Sequence, residues 1–342
     1  MSRSQTRLKI TRSQILSFRR CAGSLNERLP LSPASLRRAA WAGLQDSMPR
    51  AALLSIHARV KGVESAIWED ASLVQLWGPR FSNYVVAAKD LPIFSLGRLP
   101  DNAQARARAH ATASRLHSFL KGERMPFGKA GHALGVPPNS LRYAAPTGTV
   151  LLRWDGARQP DVWTVPPNDL DPQHARLELA RRFLHIFGPA TPASFAKWAG
   201  ISPAEAQGAF TALAKSLTPV LTPLSNNSGI LANDESAFRV QPQTPAPARL
   251  LPSGDAYYLF WGADRDLLLP NAKQRAALWT TRVWPGALLV NGEIVGIWRR
   301  SADDVSIETW HRLSPTERDA VEAEAVSLPL PGIDRPLSIR WS

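Results

Sequence analysis

Apolar positions recur with helical spacing between Asp171 and about Val240. Five apolar residues share one face of a helix that begins at Pro172 and stops at Gly188-Pro189: Leu177, Ala180, Phe183, Leu184 and Phe187. A short helix over 192–199 and a longer helix over 203–217 follow, and a loosely alternating stretch then carries a turn at residues 226–229. This order of helices and hairpin predicts a winged helix, a variant of the helix-turn-helix.

The same order recurs twice earlier in the chain. Between Asp101 and Pro167 a basic helix over 103–121 precedes short helices over 127–134 and 138–143, and a hairpin turns at Asp155-Gly156. A degenerate copy lies between Thr11 and Ala88. Several helix starts place a capping oxygen before a proline: Ser32-Pro33, Asp171-Pro172, Thr191-Pro192, Ser202-Pro203 and Ser314-Pro315. A glutamate follows three residues after Ser202 and after Ser314, which predicts a capping box at each. We therefore expect three tandem winged-helix modules.

The pattern changes after a proline-rich stretch, QPQTPAPARL, which we interpret as a linker over 241–250. Strand-like segments occupy 257–261, 287–290, 293–300 and 305–310, with a hairpin turn at Asn291-Gly292 and a helix over 315–325. The sequence thus predicts an α+β protein that ends in a β-barrel-like domain. The expected domains are three winged helices and one β-rich domain, at residues 1–98, 99–168, 169–245 and 246–342.

Charge and composition favour a polyanionic partner. The 342 residues contain 41 Lys and Arg against 28 Asp and Glu, a net charge of +13. A single cysteine, Cys21, excludes an intramolecular disulfide, and no histidine or acidic cluster has metal-ligand spacing. No phosphate-binding loop and no apolar run of membrane-spanning length occurs. We expect no cofactor, no metal, no membrane association, and a monomeric, cytoplasmic, nucleoid-associated protein that binds double-stranded DNA.

Two C-terminal segments resemble one known family. LLPSGDAYYLFWGADRDLLLP (250–270) and GALLVNGEIVGIWRR (286–300) are similar to conserved segments of the AlkZ/YcaQ-like winged-helix DNA glycosylases. The order of three winged helices and a β-barrel is also that of this family. The resemblance implies excision of bulky alkylated bases from DNA, including the unhooking of interstrand crosslinks.

The resemblance also implies a catalytic loop near the N-terminus. Family members carry a Gln-x-Gln or Gln-x-Asp motif at the entrance to a helix, and AGLQDSMPRAALLSIHARV (42–60) fits that frame with Gln45 first and Ser47 third. Hydrolysis of an N-glycosidic bond needs a group that positions water, and a carboxylate near the sugar helps. Gln45, Asp46 and Ser47 are the candidate catalytic residues. The alternative is that Asp46 or Ser47 only caps the following helix.

Six residues are candidates for DNA contacts. Arg59 matches the helix-terminal arginine of the family, and residues 80–84 (RFSNY) stand where the family has Arg-Gly-Thr-x-His, so that Arg80 is kept and Tyr84 replaces histidine. Arg142 lies early in the predicted recognition helix of the second module, which residues 138–143 open. Arg153 and Arg158 flank the turn of its hairpin, where phosphate contacts are common.

Three functions fit this sequence. The first is a DNA glycosylase with a basic channel lined by the Gln45 loop. The second is a non-catalytic duplex binder, such as a regulator or a protein that shields damage, with Asp46 and Ser47 turned away as caps. The third is a protein-interaction scaffold with evenly scattered arginines, against which the net charge argues.

Overall fold

The computed structural model describes residues 7–156, 158–240, 246–330, 332 and 337–342. It shows a mixed α+β fold in which short helices alternate with several small sheets. The helices before residue 170 are α1 (Arg12–Ala22), α2 (Pro33–Ala39), α3 (Ala51–His57), α4 (Leu91–Leu96), α5 (Ala103–Leu120) and α6 (Phe127–Ala133). Those after it are α7 (Pro172–Phe187), α8 (Pro192–Ala199), α9 (Pro203–Ala212), α10 (Glu235–Phe238), α11 (Asp264–Leu268), α12 (Ala272–Leu278) and α13 (Pro315–Val326).

The strands form three small sheets and one larger one. The strands of the small sheets are β1 (Leu8–Lys9), β2 (Leu44–Gln45), β3 (Leu73–Trp77), β4 (Asn83–Ala87), β5 (Met125–Pro126), β6 (Val150–Arg153), β7 (Asp161–Thr164), β8 (Leu217–Leu221) and β9 (Ser228–Leu231). Those of the larger sheet are β10 (Arg249–Leu251), β11 (Gly286–Val290), β12 (Glu293–Ser301), β13 (Asp304–Thr309) and β14 (Ser338–Trp341).

Two of the three small sheets share one connectivity, and the third is a variant of it. Their strand orders are β2-β4-β3, β5-β7-β6 and β1-β8-β9. In the first two, a short strand before the helices pairs with the far arm of the hairpin that follows them. In the third, the single bridge between Ala190 and Gly229 takes the place of that short strand, and β1 from the N-terminus pairs in parallel with β8. The expected first domain therefore lends a strand to the sheet of the third.

Local capping chemistry explains where the best-defined helices begin. Ser202 and Ser314 each accept a hydrogen bond from the backbone three residues on, and Glu205 and Glu317 bond back to complete a capping box. Both boxes were predicted from the sequence and are confirmed. The expected helix over 138–143 is instead a 3₁₀ helix, Pro138–Thr147, which contains Pro146. An internal proline removes a backbone donor, so regular α-helical bonding cannot continue through it.

The C-terminal sheet is open, which corrects the predicted β-barrel. Its order is β10-β11-β12-β13-β14, and among the described residues no pairing joins its two edge strands. Val321 and Ala325 of α13 share one apolar cluster with Val305 and Ile307 of β13, and α13 contacts β10, so a helix rather than a returning strand covers this face. The predicted linker also needs correction, because β10 begins at its end, whereas residues 241–245 lie outside the described part.

The segment 257–261, predicted as a strand, is also not one. Asp255 accepts a hydrogen bond from the backbone nitrogen of Tyr257, and this bond starts a 3₁₀ turn over Ala256–Tyr258. The turn places Phe260 against Phe187 of α7, with 5.6 Å between ring centres. Phe187 belongs to an aromatic cluster with Phe183 and Trp198. The C-terminal part therefore shares a core with the third helical module.

Candidate active-site loop

The candidate catalytic loop begins where β2 ends. Leu44 pairs with Val85 and Gln45 with Tyr84, so both are held by the central strand of the first sheet. The chain then crosses residues 46–50 and enters α3 through Arg50, whose φ of 64° is left-handed. Gln45 is therefore the last residue fixed by the sheet, and its side chain is half-buried at the start of the loop.

Two hydrogen bonds fix the carboxamide of Gln45. Arg80 donates from Nη2 to Oε1 at 3.0 Å, and Gln45 Nε2 donates to Oγ of the exposed Ser47 at 3.1 Å. Gly254 packs beside the amide, because a Cβ on Gly254 would lie 3.4 Å from Gln45 Cδ. The amide oxygen keeps a second lone pair and the amide nitrogen a second hydrogen. The group can therefore bind one further polar molecule in a defined orientation.

The turn between β3 and β4 carries Arg80 to this position. Arg80 has φ 54°, and its guanidinium lies over the ring of Trp261, 4.2 Å from the ring centre. Gly200 at the end of α8 has φ 72°, and a Cβ there would come within 3.0 Å of the Arg80 backbone. Only glycine fits both that conformation and that approach. Three parts of the chain thus meet at Arg80.

Asp46 points into the protein instead of toward the loop surface. It is 1% exposed, and Oδ1 accepts from the backbone nitrogen of Ala52 at 3.0 Å while Oδ2 accepts from Gln75 Nε2 at 2.7 Å. Burial raises the pKa of Asp46 to about 7, although these two donors and the charges of Arg50 and Arg153 lower it. Asp46 fixes the start of α3 and the hairpin, so we do not assign it to the chemistry.

The buried carboxyl of Asp46 makes stability depend on pH. Between pH 4 and pH 7 it is ionised in the unfolded chain but largely protonated in the folded one, so the contribution of Asp46 to stability falls as pH rises and levels off above pH 7. We expect the free energy of unfolding of Asp46→Asn, relative to wild type, to rise across this window by on the order of 4 kcal/mol.

Urea titrations at several pH values measure this difference. In Asp46→Asn, an amide hydrogen that faces Gln75 or Ala52 lowers the free energy of unfolding by an amount that does not change with pH. The test is therefore the change with pH in the difference between the variant and wild type. Asp161→Asn, at an exposed position on β7, is the matched control and should give a flat difference. A flat difference for Asp46→Asn as well would contradict the prediction.

Two predicted DNA contacts are instead buried. Arg59 is 3% exposed and forms two hydrogen bonds of 2.7 and 2.8 Å with Asp255, which is 1% exposed. Tyr84 is fully buried under the turn that carries Arg80, and a Cβ on Gly78 would lie 2.8 Å from its side chain. Neither side chain is accessible to a phosphate. We therefore correct the assignment of both residues from DNA contact to structural support.

Three further predicted contacts, besides Arg80, lie in the expected second module. Arg142 is half-buried beside Tyr143, which is 53% exposed and packs edge-on against Phe81 with 4.9 Å between ring centres. Arg153 is paired with Glu69 and lies over Trp68. These contacts leave Arg142 close to the Arg80 turn and engage Arg153 within the protein.

The hairpin of the second module also reaches the candidate loop. Arg158 is exposed just after the turn at Asp155-Gly156. A Cβ on Gly156 would lie 2.6 Å from Pro49, so this turn packs on the loop that follows Gln45. The structure thus brings Gln45, Ser47, Arg80, Arg142 and Arg158 toward one region, whereas Arg59, Tyr84 and Asp46 point inward.

Trp261 and Gly254 are site residues that the sequence analysis missed. They lie 181 and 209 positions from Arg80 and Gln45 along the chain, and no local spacing connects residues so far apart. The available signal was that both belong to the segment 250–270, which carried the family resemblance. Within the described residues there is no group of three or more His, Cys, Asp or Glu able to hold a metal, and no helix there is long and apolar enough to span a membrane.

The family model for DNA glycosylase AlkZ-like proteins matches residues 38–328. The chain therefore belongs to the AlkZ-like DNA glycosylase family, and the family predicted from the two C-terminal segments is confirmed. No curated protein matches the sequence. The fold is similar to the solved structure of Streptomyces sahachiroi DNA glycosylase AlkZ, with a TM-score of 0.78 and 16% identity, over 98% of this chain and 100% of that one.

Proposed function

We propose that this protein hydrolyses the N-glycosidic bond of a bulky alkylated base in double-stranded DNA. The observation that carries the proposal is the carboxamide of Gln45, which Arg80 and Ser47 hold in one orientation with hydrogen-bonding capacity to spare. Membership in a family of DNA glycosylases supports the same reaction. The protein acts on damaged chromosomal DNA in the cytoplasm, as a monomer.

Gln45 would act by positioning water. Its amide oxygen accepts a hydrogen from the water, which directs a lone pair of that water toward C1′ of the deoxyribose. No carboxylate of this loop is available to remove a proton, because Asp46 points inward. The reaction therefore depends on a good leaving group. Alkylation at N7 of a purine gives the base a positive charge, so the bond to C1′ can break before water attacks and the base leaves as a neutral molecule. Water then adds to the cationic sugar and releases its proton to bulk water.

The three helical modules would hold the duplex as winged helices. The shared strand order of the first two small sheets supports this interpretation, as does the Ala190–Gly229 bridge at the corresponding place in the third. Arg142 and Arg158, close to the Gln45 loop, would contact phosphates near the damaged base, and Arg80 would face the phosphate beside it. With a net charge of +13, binding would be led by phosphate contacts and weaken steeply with salt.

A second function, binding without catalysis, is favoured by the helix-capping position of Asp46. The test is an assay of wild type on a duplex with one bulky N7-alkylguanine, with the affinity for unmodified duplex measured across a salt series. Abasic sites together with salt-dependent binding support the glycosylase. Salt-dependent binding without base release supports the binder, and the absence of both contradicts the DNA-directed proposal.

A further inference from the structure

An open cavity of about 330 Å³ lies beside the candidate loop, between α3 and the C-terminal sheet. Met48 and Pro49 of the loop form one wall, and Trp284 and Trp298 contribute to the opposite one. The segment containing Ser253 completes the lining. The cavity is thus built from the first module and the C-terminal domain together.

The cavity and the Gln45 site share two chain segments. Met48 follows Gln45 by three residues, and Ser253 precedes Gly254, which packs on the Gln45 amide. Because successive Cα atoms are 3.8 Å apart, the Cα atoms of Gln45 and Met48 are separated by roughly 11 Å at most. The loop that carries Gln45 therefore also lines the cavity.

The walls of the cavity are mainly apolar and aromatic. Trp298 donates its indole N–H to the carbonyl of Leu251 at 2.8 Å, so this donor is not available to a ligand. Trp284 is braced by the ring of Tyr258 and by the guanidinium of Arg265, 5.2 Å from its ring centre. Enzymes that read an extruded natural base use hydrogen bonds to its pairing edge. The walls of this cavity offer few hydrogen-bonding groups, and they favour an apolar planar group instead of a natural base.

Two arginines stand at the edge of the cavity. Arg299 and Arg300 end the buried part of β12, line the cavity and are exposed. Neither forms an ion pair with any residue that the structure describes. Because successive strand residues point to opposite faces, the two side chains leave β12 on different sides, and Arg300 also donates to the carbonyl of Ala302 at 3.5 Å. Cationic groups beside an apolar cavity complement a ligand that is apolar at one end and attached to a phosphate backbone at the other.

We propose that this cavity binds the apolar, aromatic part of a bulky base adduct in duplex DNA, while Arg299 and Arg300 contact the neighbouring phosphates. The inference rests on the proposed function for the class of substrate, and it explains how a bulky lesion would be distinguished from a small one. The adduct would occupy the space between the loop and Trp284, with the damaged base beside Gln45.

Affinity for matched duplexes tests the proposal. They carry an N7-arylmethylguanine, an N7-methylguanine or an unmodified guanine, with a 2′-fluoro sugar to slow cleavage, and are compared by fluorescence anisotropy. Ser253→Phe fills the cavity and Trp284→Ala removes part of its wall. Ser301→Phe and Trp310→Ala are matched controls in the same domain but outside the cavity lining.

We expect wild type to bind the aryl adduct roughly tenfold more tightly than the methyl adduct. Both cavity variants should lose the preference for the aryl adduct and keep their affinity for unmodified duplex. Both control variants should retain the preference for the aryl adduct. Melting temperatures verify folding, and Val283→Trp at the exposed mouth replaces a variant that does not fold. Equal affinity of wild type for both adducts, or full preference in the cavity variants, would overturn the proposal.

Measurements of adduct binding and of base release distinguish the cavity proposal from the glycosylase proposal. Preference for the aryl adduct without release of the base from a natural sugar supports the cavity and contradicts the glycosylase reaction. Release of both adducts with equal affinity supports the reaction and contradicts the cavity.

Discussion

Replacing Gln45 with alanine should slow base release by roughly 10²- to 10³-fold, the usual effect of losing one positioned hydrogen-bonding group at a reacting centre. Alanine removes the only described group that both Arg80 and Ser47 orient at the end of β2. The affinity for duplex should change little, because the amide carries no charge. Single-turnover release from an N7-alkylguanine duplex measures the rate.

Gln207→Ala is the matched control for this variant. Gln207 is exposed on α9, where its amide donates a hydrogen bond of 3.3 Å to the hydroxyl of Thr211. This control should release the base at the wild-type rate. Equal rates for Gln45→Ala and Gln207→Ala would contradict the assignment of Gln45. A Gln45→Ala variant that loses duplex affinity and release together would show that Gln45 supports the fold or the binding surface and not the reaction.

Replacing Arg59 with methionine should lower the free energy of unfolding by about 3–5 kcal/mol. The variant leaves the carboxylate of Asp255 without its charge partner at a position that is 1% exposed. Ser55 still donates to that carboxylate at 2.7 Å, but one hydroxyl does not replace a bidentate guanidinium. Urea denaturation measures the loss.

Two further variants distinguish an ion-pair effect from lost packing. The double variant Arg59→Met/Asp255→Leu should recover much of the loss, because neither charge then remains buried. Arg340→Met breaks an exposed pair with Asp304, and should cost less than about 1 kcal/mol. A small loss for Arg59→Met, similar to that of Arg340→Met, would contradict the structural assignment of Arg59.

The sequence predicted those parts of the fold that depend on local chemistry. The capping boxes at Ser202 and Ser314 use groups three residues apart, so their positions can be read directly. The segment 257–261 has strand-like residues, yet the hydrogen bond from Asp255 and the packing of Phe260 on Phe187 make it a turn. Whether such a segment forms a strand or a turn depends on the residues that pack against it in the core.

In the candidate site, too, some residues could be predicted from the sequence and others depended on contacts between distant parts of the chain. Gln45, Ser47 and Arg80 were predicted from the family resemblance, and the structure places them in contact. Arg59 had been interpreted from its charge and its place in the motif, and only the three-dimensional structure reveals Asp255, 196 residues away, as its partner. Charge along a sequence indicates a possible phosphate contact, but burial decides whether the group is accessible.

The most direct test of the central claim is detection of the free base. Wild type would be incubated with a duplex carrying one N7-alkylguanine, and the small-molecule fraction and the strand would be analysed by mass spectrometry. Hydrolysis of the N-glycosidic bond predicts free alkylguanine and an abasic strand in equal amounts, formed far more slowly by Gln45→Ala. An intact modified strand, with the protein bound to it, would contradict the claim.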